Sequence, residues 1–77
     1  MAALTTANDT EFTPAAGDFI AQATGAAATL LRKNVSGAAF ASVGRIEPGT
    51  GYIVANPVAG AVYKFAADSG ATVRADQ

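Results

Sequence analysis

Cysteine, histidine and tryptophan are all missing from these 77 residues. Without cysteine no disulfide can staple the chain, and its absence fits any redox compartment. The missing histidine and cysteine remove the commonest general base and the strongest side-chain nucleophile. The acids Asp9, Glu11, Asp18, Glu47, Asp68 and Asp76 show no spacing that suggests a shared site or a metal-ligand cluster. Ser36, Ser42, Ser69 and the threonines have no evident activating partner. The reading is therefore non-enzymatic: no catalytic residue, no cofactor and no metal. Long apolar runs are also missing. No stretch approaches the roughly 18 uninterrupted apolar residues of a membrane-spanning helix. Met1-Ala2-Ala3-Leu4-Thr5-Thr6 has neither the charged region nor the apolar region of a secretory signal, so a chain made and used in solution is expected.

Charge is sparse too. Five basic and six acidic side chains give a net charge of −1, scattered mostly singly. Phosphate binding needs a basic patch, so direct contact with nucleic acid is not expected, nor is contact with a membrane. The longest basic run, Arg32-Lys33, reads as two solvated charges at a strand end.

What the chain does have is alanine, 20 of its 77 residues. Each alanine buries little apolar area, while ordering each residue costs about 1.5 kcal/mol. With no disulfide or metal available, association with other subunits is the remaining way for so small a domain to bury more surface.

The length allows one core. Residues 1–13 lack either hydrophobic period and read as an extended N-terminal arm, ending before Pro14, which restricts Thr13 to extended conformations. The body, residues 14–77, is punctuated by Gly25, Gly37, Gly49, Gly60 and Gly70 at separations of 12, 12, 11 and 10 residues, the pitch of short strands joined by turns. Gly17, Gly44 and Gly51 fall outside it. Each pitch glycine is expected to supply a positive φ. Between them the sequence alternates. Tyr63 and Phe65 share a face opposite Lys64, and Val73 and Ala75 oppose Thr72, Arg74 and Asp76. These two segments are expected to form a hairpin turning at Asp68-Ser69-Gly70. Phe40 and Ile46 fall in one strand with Val43 on its other face. Tyr52-Ile53-Val54 forms another after the turn at 47–51, ended by Asn56-Pro57.

Residues 19–31 carry two patterns. Phe19, Ile20, Ala23, Ala27, Leu30 and Leu31 follow a helical spacing with Asp18 as N-cap. Gly25, Thr24 and Thr29 weaken that helix and favour strands Phe19–Thr24 and Ala28–Val35. The fold class expected overall is all-β, a small antiparallel sandwich or barrel of about six short strands.

Short motifs add little. Gly49-Thr50-Gly51 lacks the lysine and following helix of a phosphate loop and reads as a turn. Asn8-Asp9-Thr10 and Asn34-Val35-Ser36 match the glycosylation pattern, which is short enough to recur by chance. Tyr52 and Tyr63 could form a sugar-stacking platform, although packing in a core or subunit interface is the commoner use. Phe40, Tyr52 and Tyr63 are the candidate interface residues of the body. In the arm, Leu4 and Phe12 could fill pockets on a neighbouring subunit while Thr5, Thr6, Thr10 and Thr13 favour extended pairing.

The segments 18–25, 30–34, 56–65 and 72–77 together resemble small structural proteins of tailed-bacteriophage virions, in particular capsid decoration (cement) proteins and head or tail appendage modules. The resemblance is one of pattern over most of the chain and carries no site residues with it. It implies a non-catalytic homotrimer whose arm binds the outer capsid lattice, with the major capsid protein or another virion protein as partner. The location implied is the virion, assembled in the host cytoplasm. A glycan- or receptor-binding module of a phage fibre or tail is the alternative.

Overall fold

The computed structural model describes residues 2–33, 38–57 and 59–77. It is all-β, with seven short strands: β1 (Ala3–Thr5), β2 (Phe19–Thr24), β3 (Ala28–Lys33), β4 (Ala41–Ile46), β5 (Gly51–Val54), β6 (Val62–Ala67) and β7 (Thr72–Asp76). They form two antiparallel sheets of order β1-β7-β2-β5 and β4-β3-β6, a small sandwich.

The alternation read from the sequence sets which side chains face inward. Phe19, Ala21 and Ala23 of β2 and Val73 and Ala75 of β7 are buried, as are Ala28 and Leu30 of β3 and Tyr63 and Phe65 of β6. The core cluster mixes sizes: the first sheet contributes Ala21, Ala23 and Ala75 with Phe19 and Val73, and the second Ala28 with Leu30, Ile46, Tyr63 and Phe65.

Between residues 19 and 31 the chain makes two strands. Gly25 decides it: its φ is +83°, and a Cβ there would lie 2.6 Å from the Gly70 carbonyl oxygen. The turn at 25 and the turn at 70 therefore touch, both carrying the chain from one sheet to the other. Gly49, Gly60 and Gly70 also have positive φ, as the pitch predicts. The expected turn at Gly37 lies outside the described residues, as do Ser36, the glycosylation pattern at 34–36 and the expected extension of β3 to Val35.

Three expectations are corrected. β6 and β7 do not form a hairpin. Asp68-Ser69-Gly70 is an arch between sheets, with β6 paired to β3 and β7 to β1 and β2. Two alternating strands joined by a glycine turn read alike whether they pair or face each other across a core. Phe40 lies just before β4 rather than within it, and Val43 falls where the β3–β4 register shifts. A bulge of this kind inserts an extra residue, so parity from Phe40 to Ile46 is not kept.

The third correction concerns the arm. Residues 2–12 are not a free appendage but part of the sandwich. β1 pairs with β7, and Ala2 and Gln77 exchange backbone hydrogen bonds of 3.1 and 3.0 Å. Phe12 and Tyr63 exchange another pair, 2.8 and 2.9 Å, the Asp9 N–H donates to the Phe65 carbonyl at 2.9 Å, and the Ala67 N–H donates to Asn8 Oδ1 at 2.8 Å. The segment thus covers the outer edge of β6. Asp9 adopts φ 57° to do so, a left-handed conformation that aspartate tolerates. Phe12 is buried with ring-centroid distances of 5.8 Å to Phe19, 5.8 Å to Tyr63 and 5.7 Å to Phe65. The segment lacks either hydrophobic period, yet one aromatic ring within the core cluster anchors it.

Loop 14–18 is clamped by two amides. Asn56 is almost fully buried. Its Nδ2 donates to the Ala15 carbonyl at 2.8 Å, and its Oδ1 accepts the Tyr63 hydroxyl at 3.2 Å. The Gln77 amide exchanges bonds with the Ala15 backbone, both 2.8 Å.

Candidate interaction surface

The two long sides of the sandwich differ. The β6 side is sealed by residues 8–12. On the other side, β4 and β5 each have a strand neighbour on one flank only among the described residues; the three-residue β1 is likewise an edge. Unpaired strand edges are ready templates for another chain.

Between them opens a cleft of about 500 Å³ lined by Leu30, Arg32, Ile46, Tyr52, Val54 and Tyr63 among others. The local sequence explains the opening. Gly44 stands opposite Leu30, on the inner face, and a Cβ at Gly44 would meet no atom within 4 Å. Of the β4 side chains only Ile46 is buried. Across the cleft Tyr52 and Val54 turn inward, half-buried, opposite Ala21 and Phe19 of β2. Ile53 turns outward and is 74% exposed, paired with Ile20, while Val43 at the rim is 50% exposed.

Two arginines line this side. Arg45 reaches along the outer face to Asp68 and, at 3.2 Å, to the Thr29 hydroxyl. The bond to Asp68 raises the Arg45 pKa further. Arg32 takes an inward position of β3, with its guanidinium carbon 5.7 Å from the centre of the Tyr63 ring. Among the described residues, no three acidic side chains gather to hold a metal ion.

The candidate residues named from the sequence do not meet at one place. Tyr52 lines the cleft. Tyr63 reaches it only from the core, being 1% exposed, so it cannot serve as an exposed interface residue or stacking face. Phe40 is half-buried on the outer face of the second sheet, its ring 4.8 Å from Lys33 Nζ and 4.6 Å from Lys64 Nζ. Leu4 packs partly against the core, and Phe12 is within it, so neither is presented to a neighbour. Thr5 Oγ1 accepts the Ala7 N–H at 3.2 Å, Thr10 Oγ1 donates to the Asn8 carbonyl at 3.3 Å, and Thr6 is exposed. Sequence reasoning passed over Val43, Gly44, Ile53 and Arg32 as surface candidates. For Arg32 a signal was present: it falls on the same parity as Ala28 and Leu30, so a charge was due on an inward face.

The geometry defines a class, a small two-sheet sandwich with one side sealed by its own N-terminal segment and the other open. Compared with protein-family models, with curated proteins and with solved structures, the chain matches none.

Proposed function

We propose that this chain is a non-enzymatic structural protein of a phage virion that attaches to the outer surface of a capsid lattice as an oligomer, a trimer, and stabilises it. The observation that carries the adhesive part of this reading is the contrast between the sandwich's sealed side and its open one. Natural sheets usually blunt their edges with charge, proline or cover, and residues 8–12 do this for β6. The β4–β5 side instead carries exposed Ile53 and Val43 beside an apolar cleft. The assignment to a virion rests on the resemblance of segment pattern, and the non-enzymatic part of the reading on the lack of histidine and cysteine. The attachment surface proposed is therefore the open side, in place of the arm. The glycan-binding alternative loses Tyr63 as a stacking face and keeps Tyr52 alone.

Mass spectrometry of purified particles tests the assignment. A copy number comparable to that of the shell protein is expected, and absence from particles overturns it. Light scattering tests the trimer. Ile53→Asp combined with Val43→Asp should abolish attachment while leaving the melting transition nearly unchanged, because both side chains are exposed.

A further inference from the structure

We propose that the cleft between β4 and β5 receives an extended segment of a partner protein bearing an aspartate or glutamate, whose carboxylate pairs with Arg32; this rests on reading the open side as the adhesive one. The Nε of Arg32 is buried and has no hydrogen-bond partner among the described residues. A buried donor without an acceptor is costly, and native structures rarely leave one so. The cleft lining includes two arginines and no acid. Arg45 is held by Asp68 on the outer face, so the charge left to be complemented is that of Arg32. A guanidinium is a planar fork that matches a carboxylate, and the guanidinium carbon of Arg32 lies 5.7 Å from the centre of the Tyr63 ring.

The rest of the cleft specifies what surrounds that carboxylate. Leu30, Ile46, Tyr52 and Val54 offer apolar contact, and the bare flanks of β4 and β5 offer main-chain partners. An added strand would place alternate residues on the cleft side. The segment expected is therefore apolar, any, acidic, any, apolar.

Two terminally blocked peptides, VTETV and VTQTV, test this in titrations of the isotope-labelled full chain by NMR. The readouts are the Arg32 Nε–Hε resonance and the backbone amides of residues 43–46 and 52–55. The glutamate peptide should shift them at millimolar concentration, and the glutamine peptide should bind at least about tenfold more weakly. Arg32→Gln should remove the difference between the two. Gly44→Phe, which fills the cleft from a position with open space around its Cβ, should block both while the remaining spectrum stays folded. Equal binding of the two peptides, shifts elsewhere or no shift overturns the proposal. So does an equal response to sodium acetate, which would make this a bare anion site, or movement of the Arg32 resonance on dilution of the protein alone, which would make the occupant a second copy. Failure here with attachment to particles intact would leave the virion reading standing on another surface.

Discussion

At the scale of single residues, Asn56 and Gly25 hold more than their size suggests. Asn56 links β5 and β6 to loop 14–18 through the Tyr63 hydroxyl and the Ala15 carbonyl. Replacing it with alanine leaves the buried Tyr63 hydroxyl without its acceptor, at a cost of about 1–3 kcal/mol, while the Ala15 carbonyl keeps the Gln77 amide as donor. Asn56→Ala is expected to lose about 1–3 kcal/mol in urea denaturation, and Tyr63→Phe a similar amount, because it leaves the buried Asn56 Oδ1 without its donor. The glycines differ among themselves. Gly25→Ala must both strain a positive φ and push aside the Gly70 carbonyl, so a loss above about 1 kcal/mol is expected. Gly44→Val meets neither obstacle, and replacing glycine within a strand should raise stability by about 0.5–1 kcal/mol. Equal effects at the two positions would show that the arch at 25 is not tightly packed. On the outer face of the first sheet, the Arg74 guanidinium hydrogen-bonds Asp76 and holds its carboxyl below the usual carboxylate range. A lowered carboxyl pKa stabilises the fold above its unfolded value near 4 and loses that contribution as pH falls through the folded value. The melting temperature of Asp76→Asn should therefore approach that of the wild type as pH drops from about 4 towards 2, and the gap should shrink with salt.

At the scale of elements, the N-terminal segment changes its meaning once the fold is seen. Phe12 touches three other aromatic rings. Truncating a core phenylalanine costs about 3–5 kcal/mol, so Phe12→Ala should lower the melting transition steeply, and deleting residues 2–12 should do so further by baring β6. An unchanged transition on deletion would restore the free arm. The strands were legible because their parity is clean: β2 begins and ends where the pattern of Phe19–Thr24 does, and β7 likewise alternates Val73 and Ala75 against polar neighbours. Partnership between strands was not legible. Gly70 signals a change of direction, and nothing in Asp68-Ser69-Gly70 says whether the chain returns beside β6 or crosses to the other sheet. The cleft was hidden for a similar reason, since it depends on Gly44 facing Leu30 and on a bulge at Val43, both properties of a pairing rather than of a segment.

At the scale of the whole molecule, sequence composition had pointed to a core too poor to stand alone. The structure shows where part of the alanine goes: Ala21, Ala23, Ala28, Ala61 and Ala75 lie within the core beside Phe19, Tyr63, Phe65 and Leu30. Among the described strands, only β3 and β4 are both consecutive in the chain and paired in a sheet. Every other ladder joins distant segments, from β2 with β5 to β1 with β7, whose partners Ala3 and Asp76 stand at opposite ends of the sequence. Such a chain must close long loops before the contacts that reward closure exist, so refolding should be slow for its length, on the order of milliseconds to seconds. Stopped-flow mixing should find this even though the domain is very small. Because β1 pairs with β7, the first and last strands lie side by side, and fraying of β1 bares a flank of β7.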